Sequence, residues 1–202
     1  MREILPGVWH WTAEHPDIHH DVSSYYLEDA AAVLDPLLGD DGIDALGDRD
    51  VKQVILSNRL HSRDAGEVQA AFGARIRVPR AGLGHFQDKP FDVEPYSPGD
   101  EIAPGVHSLA LGAIAPDDGV LHIHAGEGAL HFADGLLLHE DGELGLMSDE
   151  LMDNPEAVKL KTFAMFQEYV ELDFDALLFA HSDPLLQGGR DQLAYFVRRN
   201  NT

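Results

Sequence analysis

The sequence predicts an α/β fold in which two mixed β-sheets pack face to face and helices cover the outer faces, an αββα sandwich. Three segments in succession lead to this prediction. Short apolar runs separated by turn residues open the chain, a strand–loop–helix–strand unit follows, and a second β-rich stretch precedes a final α-β-α run. The same kind of layer therefore occurs twice, and two sheets that bury one face against each other satisfy that order. The length of 202 residues suits one such domain over residues 1–202.

The first half is predicted to contain an antiparallel β-meander followed by a β-α-β unit. The meander comprises predicted strands at residues 7–11, 22–28 and 31–35, the first of them at the sheet edge. Pro36 and a Gly-Asp-Asp-Gly turn end it. The unit that follows comprises a helical turn at 43–46, a buried strand at 51–56, a helix at 65–73 and a strand at 76–79. Residues 81–101 are expected to form an irregular surface loop.

The second half is predicted to build another sheet and to close with two helices around a buried strand. Its predicted strands are at residues 106–111, 120–124, 129–132, 136–138 and 176–180. The helix at 155–171 has the clearest pattern, because apolar residues recur at helical spacing and Pro155 suits the first helical position. Those apolar residues are Leu160, Phe163, Phe166 and Val170. Residues 193–199 are expected to form the last helix.

The composition argues against several classes of partner and chemistry. The chain has 36 acidic and 14 basic residues, a formal net charge of −22, so its field repels nucleic acid and anionic membranes. It has no cysteine, which rules out disulfides, thiolate zinc ligands and cysteine nucleophiles. No apolar run approaches the ~20 residues that span a bilayer, and the first residues lack a signal-peptide core. We therefore expect a cytoplasmic protein with a small-molecule ligand or substrate, and a homodimer is left open.

The candidate site is the polar stretch at residues 57–66. It reads Ser-Asn-Arg-Leu-His-Ser-Arg-Asp-Ala-Gly, follows a predicted buried strand and opens a predicted helix. Side chains of such a loop converge at the carboxyl end of the strand, where the first N–H groups of the helix are also unpaired. The loop contains Arg59, His61, Arg63 and Asp64. These residue types suit either a metal site or a cluster of ion pairs.

Along nearly its whole length the chain resembles the metallo-β-lactamase superfamily. That family has a strand ending in Asp-Pro, as Leu34-Asp35-Pro36 does here, and a signature loop between a strand and a helix. The signature reads His-x-His-x-Asp-His before Ala-Gly or Gly-Gly, and Ala65-Gly66 provides the anchor here. The four signature positions then fall on Arg59, His61, Arg63 and Asp64. Only His61 matches. The resemblance implies an αββα sandwich with a metal site at one edge, between the sheets.

Further ligand positions of the family fall in the second half of the chain. The family's Gly-His-Thr turn corresponds to residues 112–116, which read Gly-Ala-Ile-Ala-Pro and contain no histidine. An apolar strand ending in an aspartate, which bridges two metals in the family, corresponds to residues 130–135 and to Asp134. A histidine after a late buried strand corresponds to His181. The resemblance therefore implies a reduced metal site of His61, Asp134 and His181.

This reduced site leaves two functions open. Two imidazoles and a carboxylate are a donor set of catalytic zinc. One zinc, iron or manganese ion would then activate water against an ester, thioester, amide or phosphoester, with Asp64 and Asp134 as the catalytic carboxylates. Asp64 stands where the family has a histidine and could give a fourth, oxygen ligand. A binuclear site is not expected, because Arg59 and Arg63 are permanently charged and cannot coordinate a cation. In the alternative no metal binds: the arginines pair with Asp134 or Asp64 and bind a small anionic ligand or hold the loops together.

The other histidines are interpreted as solvated side chains. His122 and His124 share one face of a predicted strand, with Glu127 and His131 further on. This arrangement resembles the cupin metal motif, but the spacing to Glu127 is too short and a cupin is nearly all β, unlike this chain. The same interpretation applies to His10, His15, His19 and His20, and to the turn residues Asp117 and Asp118.

Overall fold

The first sheet of the computed structural model, which describes residues 1–112 and 115–200, has seven strands in sequence order. They are β1 (Arg2–Leu5), β2 (Val8–Glu14), β3 (Asp21–Leu27), β4 (Ala32–Leu34), β5 (Gln53–Ile55), β6 (Arg75–Pro79) and β7 (Val93–Tyr96). β2 to β4 form the predicted antiparallel meander, which β1 extends by one strand, whereas β4 to β7 pair in parallel. The sheet is therefore mixed, as expected.

The second sheet is also mixed. Its strands and those of a small separate hairpin are β8 (Glu101–Ala103), β9 (Val106–Ala110), β10 (Gly119–Ile123), β11 (Ala129–Phe132), β12 (Leu137–Leu138), β13 (Leu144–Gly145) and β14 (Ala176–Phe179). The order in the sheet is β14-β11-β10-β9-β8, and β12 pairs with β13 alone. Only β14 and β11 run parallel in this sheet, so their carboxyl ends meet at the same edge.

Three α-helices and several short 3-10 segments connect the strands. The α-helices are α1 (Ala65–Phe72), α2 (Pro155–Tyr169) and α3 (Gly189–Asn200). The 3-10 segments are Gly39–Leu46, Arg59–Ser62, Arg80–Phe86 and Asp149–Leu151. α2 begins as predicted with Pro155 in its first turn, and the Asn154 side chain caps it by accepting a hydrogen bond from Ala157 N at 3.2 Å. No helix of the described residues is long and apolar enough to cross a membrane.

A layer of apolar side chains lies between the two sheets. Tyr25 and Ile55 enter it from the first sheet, and Leu121 and Leu178 enter it from the second. β14 is buried on both faces, because Leu178 enters this layer whereas Leu177 faces the helices. Such two-sided burial explains why β14 reads as a continuous apolar run in the sequence.

Helices cover the outer face of each sheet. Val68 of α1 joins Val54 in the apolar layer outside the first sheet. Outside the second sheet, Phe166 of α2 lies edge-on to Phe132, with ring centroids 5.6 Å apart, and Phe196 of α3 completes the layer. The predicted αββα sandwich is therefore confirmed.

Several details of the predicted elements are wrong. Residues 7–11 are not at the edge, because β1 pairs outside β2. The stretch at 81–101 is not wholly irregular: it includes most of a 3-10 segment and β7, an edge strand that accommodates Pro95. Residues 136–138 join the small hairpin and not the second sheet. Leu160 is 74% exposed, because α2 faces the sheet through Phe163 and Phe166 and Leu160 falls outside that arc.

Candidate metal site

Three predicted ligands come together at one edge of the sandwich. His61 lies in the 3-10 segment after β5, Asp134 follows β11, and His181 follows β14. Because β11 and β14 are parallel neighbours, the residues after them emerge side by side, and the loop after β5 reaches the same edge from the first sheet. The three side chains line a cavity of about 620 Å³. The site is therefore built by both sheets, as the resemblance implies.

The ligand atoms of these residues form a small triangle. His61 Nε2 lies 3.1 Å from His181 Nε2 and 3.2 Å from Asp134 Oδ1, and His181 Nε2 lies 2.9 Å from that same oxygen. His61 and Asp134 are buried, and the His181 side chain is 22% exposed toward the cavity. Among the described residues, this is the one group of three or more His, Asp or Glu side chains whose ligand atoms converge.

A buried carboxylate behind His61 sets the orientation of its ring. His61 Nδ1 lies 3.0 Å from Asp35 Oδ2 and 3.0 Å from Ser57 Oγ. The Ser57 hydroxyl donates to Asp35 Oδ2, and Ser57 N donates to Asp35 Oδ1 at 2.8 Å. An ionised carboxylate only accepts, so Nδ1 carries a proton and donates it to Asp35. Nε2 is then the ring nitrogen that faces the triangle and that a metal ion would use. This arrangement is common to metal-ligating histidines.

The charges in this group are strongly coupled. Burial opposes ionisation of Asp35, but the charge and hydrogen bond of His61 outweigh it and lower the pKa of Asp35 to about 2. Burial also favours neutral His61, yet Asp35 and Asp134 outweigh it and raise the pKa of His61 to about 9. Against its burial, the pKa of Asp134 is lowered by His61 and His181. Without a metal ion, His61 is therefore protonated at neutral pH and lies between two carboxylates.

The triangle fits one metal ion. Two imidazole nitrogens 3.1 Å apart need a proton or a cation between their lone pairs. Asp134 Oδ1 is buried, and although both nitrogens are near it, neither is aligned to donate a hydrogen bond to it. Ligand atoms held tetrahedrally about 2.0–2.2 Å from one zinc ion lie about 3.3–3.6 Å apart, close to the observed separations. The group can therefore hold a metal.

The second oxygen of Asp134 accepts a hydrogen bond from a neighbouring side-chain amide. Asn58 Nδ2 donates to Asp134 Oδ2 at 2.6 Å. The side-chain oxygen Oδ1 of Asn58 accepts hydrogen bonds from the main-chain N–H groups of Leu60 and His61 at 2.8 and 3.1 Å, so Asn58 caps the 3-10 segment. The same amide thus joins the Asp134 carboxylate to the start of the 3-10 segment that contains His61.

The sequence suggested that Arg59 pairs with Asp134 or Asp64. The structure shows a different partner. The Arg59 guanidinium forms an ion pair with Asp117, and Arg59 N donates to Asp117 Oδ2 at 2.7 Å. Asp117 is buried and not a solvated turn residue, and Asp118, also buried, accepts a hydrogen bond from Asp134 N at 3.0 Å. Both predicted solvated aspartates instead hold the loops around the site.

Arg63 and Asp64 also contact the main chain. Arg63 Nη1 donates to the carbonyl oxygens of Ser23 and Asp35 at 2.9 and 2.7 Å, and Arg63 adopts a positive φ of 32°. Asp64 Oδ2 accepts a hydrogen bond from Leu38 N at 2.7 Å. Both residues line the cavity, but Asp64 is outside the triangle, so the structure does not bring it in as a fourth ligand.

Two histidines predicted to be solvated are buried. His131 points between the sheets, 3.9 Å from Asp35 Oδ2, and burial lowers its pKa to about 4. His10 Nε2 lies 2.9 Å from Ser23 Oγ, and burial lowers the pKa of His10 to about 4 as well. The alternation of β11 indicates the inward position of His131, since its neighbours in the strand face the helices.

Sequence reasoning missed most of the supporting residues. Asp35 entered only as the end of a strand, and Ser57 and Asn58 only as members of the loop. Nothing in the local sequence indicates that Asp117 reaches Arg59, since the pair is 58 residues apart. The family turn expected at residues 112–116 includes residues 113 and 114, which lie outside the described residues.

Comparison with known proteins identifies the fold. No protein-family model matches the chain, and no curated protein matches it in sequence. Solved structures do match. A metallo-beta-lactamase family protein from Thermus thermophilus has a TM-score of 0.69 at 17% identity, covering 98% of this chain and 80% of that one. A protein solved in a di-iron-bound form has a TM-score of 0.65 at 16% identity, with 90% and 96% covered.

A third similar structure is a quorum-quenching N-acyl homoserine lactone lactonase, with a TM-score of 0.59 at 15% identity over 90% of this chain and 94% of that one. At such identities the shared feature is the fold. The chain is thus an αββα sandwich with two histidines and an aspartate, a group that could hold a metal ion, at the edge between its sheets. Its fold is the metallo-β-lactamase fold, which confirms the resemblance seen in the sequence.

Proposed function

We propose that the protein is a metal-dependent hydrolase with one ion held by His61, Asp134 and His181. The observation that carries this proposal is the convergence of their three ligand atoms, with His61 Nε2 turned toward the other two by Asp35. Zinc bound by two imidazoles and a carboxylate lowers the pKa of a bound water to about 7, which supplies hydroxide at neutral pH. Iron and manganese are the alternative ions.

The supporting residues keep the ligands in position. Asp35 holds the His61 ring in one tautomer, and Asn58 fixes the Asp134 carboxylate through its second oxygen. Preorganised ligands of this kind need little rearrangement when an ion binds. In this proposal Arg59 and Arg63 act through the loop backbone, and the arginines themselves do not contact the ion.

The cavity supplies polar groups that orient a substrate. His15 Nδ1 accepts a hydrogen bond from Asp17 N at 3.2 Å, so the proton of the neutral ring is on Nε2, which can donate to a ligand. Lys89 lies at the same cavity and donates to Ser62 Oγ at 3.3 Å, with no ion pair among the described residues. A carbonyl or phosphoryl oxygen suits these donors. An ester, including a cyclic one like the substrate of the similar lactonase, is the first candidate; thioesters, amides and phosphoesters follow.

One observation favours a second candidate, a protein of the same fold without metal or catalysis. The raised pKa of His61 lets a proton bridge the two imidazole nitrogens, and the group is then held by ion pairs to Asp35 and Asp134. This cluster differs from the arginine pairs expected from the sequence, since it is His61 that compensates the carboxylates.

Elemental analysis separates the two candidates. Chelator-treated protein is incubated in turn with zinc, iron(II) and manganese and then desalted. We expect His61→Ala and His181→Ala each to lose one equivalent of metal that wild type retains, whereas His19→Ala, which removes an exposed histidine, loses none. The loaded protein is assayed on p-nitrophenyl acetate, an acyl homoserine lactone, a thioester, an anilide and p-nitrophenyl phosphate. Metal content that His61→Ala and His181→Ala leave unchanged would contradict the proposed site and favour the metal-free candidate. An equivalent of metal that these variants lose, with no turnover of any of these substrates by wild type, would contradict both the hydrolase and the metal-free candidate.

A further inference from the structure

A second cluster of histidines lies on the outer face of the second sheet. His107 of β9 and His122 of β10 are directly paired across the two strands, and His124 follows on the same face as His122. The ring centroid of His124 lies 4.9 Å from that of His107 and 4.7 Å from that of His122. Three imidazoles thus occupy one small patch, outside the cavity described above.

This patch lies at the opposite end of β10 from the cavity. β10 begins at Gly119, next to Ser57 and the buried aspartates, and runs away from them toward His124. A groove of about 560 Å³ there is lined by two of the histidines and by acidic side chains. The lining residues with charged or imidazole side chains are His122, His124, Glu127, Glu171 and Asp173.

The hydrogen bond of His122 leaves one nitrogen free. His122 Nε2 lies 2.8 Å from the carbonyl oxygen of Asp173, which can only accept, so Nε2 carries the proton and Nδ1 has a lone pair. A histidine that donates its other N–H to a main-chain carbonyl is the usual form of a metal ligand.

We propose that His107, His122 and His124 form a second metal site, specific for a divalent late transition metal such as Zn²⁺, Ni²⁺ or Cu²⁺. Imidazole prefers these ions, whereas Mg²⁺ and Ca²⁺ prefer oxygen ligands. In the structure the three rings do not converge as the His61 group does, so the ion draws them together by side-chain rotation. That rotation is unhindered for His124, which is exposed, and His107 is only half-buried.

Two further features favour cation binding at this patch. Glu127, Glu171 and Asp173 give the groove a negative potential, and the net charge of −22 concentrates cations around the whole protein. The β9–β10 ladder fixes the backbone of His107 and His122, so only side-chain freedom is lost on binding. The interpretation of solvated imidazoles fits His124, which is exposed, whereas His122 is partly buried and donates to the carbonyl oxygen of Asp173.

The test uses a protein whose cavity site is disabled, so that the outcome is independent of the proposed hydrolase function. Chelator-treated His181→Ala is titrated with Zn²⁺, Ni²⁺ and Mg²⁺ by calorimetry. The site is then removed by adding His107→Ala and His124→Ala, and a matched control adds His19→Ala and His20→Ala, which removes two exposed histidines elsewhere. Circular dichroism verifies that each variant is folded.

We expect His181→Ala to bind one equivalent of Zn²⁺ and of Ni²⁺ and no Mg²⁺. Removing His107 and His124 should weaken zinc binding by at least roughly 100-fold, and the matched control should leave it unchanged. Electron paramagnetic resonance of the Cu²⁺ complex should show nitrogen couplings that disappear with the same two substitutions. Absence of zinc binding in His181→Ala, or binding that survives the loss of His107 and His124, would overturn the proposal.

Discussion

The two sides of the cavity differ in what their charged groups already contact. On one side His61, Asp134 and His181 direct their ligand atoms at one another, within 3.2 Å. On the other side Arg59 pairs with buried Asp117, and Arg63 donates to main-chain carbonyls. His61 on the first side and both arginines on the second occupy positions of the same signature loop. Only the first side has lone pairs that a cation can bind.

This difference distinguishes side chains that are available to a ligand from side chains that only stabilise the loops. An arginine in a ligand position does not by itself create an anion site, because a neighbouring carboxylate can compensate its charge, as Asp117 does for Arg59. Arg63 is less fully engaged, since its buried Nε and Nη2 have no hydrogen-bond partner among the described residues. A histidine or aspartate is available to a ligand only where supporting contacts leave its lone pairs directed at one point, as Asp35 and Asn58 do here.

Asp35→Asn should have the largest effect, on both zinc affinity and stability, because Asp35 orients His61. The amide keeps an acceptor for Ser57 N, but its NH₂ group faces His61 Nδ1, which favours the tautomer with the proton on Nε2. We expect zinc affinity to fall roughly 10–100-fold and the free energy of unfolding to fall by about 3–5 kcal/mol, because a buried ion pair loses one partner. Calorimetric zinc titration and urea unfolding measure the two effects.

Ser57→Ala is the control for this substitution, since it removes a hydroxyl from the same network and keeps the Asp35 charge. Ser57→Ala should lower the free energy of unfolding by about 1 kcal/mol and leave zinc affinity largely unchanged. Zinc binding that is as tight in Asp35→Asn as in wild type would show that Asp35 does not orient His61.

Arg59→Met should affect stability and spare metal binding. Asp117 would remain buried without its ion pair, and the free energy of unfolding should fall by about 3 kcal/mol. The double variant with Asp117→Asn should recover much of that loss, because no uncompensated charge remains. Urea unfolding of the single and double variants gives the stabilities, and elemental analysis gives the metal content. Loss of the metal equivalent in Arg59→Met would show that Arg59 is needed for metal binding.

The contact behind His181 should have the smallest effect, and it should depend on pH. His10 lies 2.9 Å from Ser23 Oγ, which donates to the carbonyl oxygen of Ser182 at 3.2 Å, next to His181. Burial lowers the pKa of His10 from 6.5 to about 4, so the unfolded chain binds a proton that the folded chain does not. Stability from this group is full above pH 6.5 and is lost as the pH falls toward 4, by roughly 1–3 kcal/mol.

His10→Gln should flatten that part of the pH profile, measured as the free energy of unfolding at intervals from pH 7 to pH 4. His131, whose pKa is also about 4, remains in both proteins and contributes the same slope to each. An unchanged slope in His10→Gln would contradict the assignment of a neutral, buried His10.

Most of the fold could be predicted because its elements have side-chain patterns. β14 reads as an apolar run since both of its faces are buried, and α2 shows helical spacing together with a favourable first turn. β1 and β7 were missed because edge strands pair through the backbone and need no apolar alternation. Leu160 was placed in the core because periodicity defines a face only approximately, and tertiary packing decides where that face ends.

The site could be predicted only as far as its residue types. The resemblance indicated His61, Asp134 and His181, and the structure brings these three together. The partners that decide their chemistry come from distant segments: Asp35 is 26 residues from His61, and Asn58 is 76 residues from Asp134. Such contacts depend on how loops pack at the sheet edge, which no local pattern encodes.

The division of the ligand group between the sheets also sets when it can form in a growing chain. Synthesis delivers the first sheet with His61 and Asp35 well before the strand that precedes Asp134, and His181 emerges only after β14. Until β14 pairs with β11, the imidazole and carboxylate that follow these strands are not side by side. The convergence of these three ligand atoms is therefore a late event in the life of each molecule, postponed until the second sheet is complete.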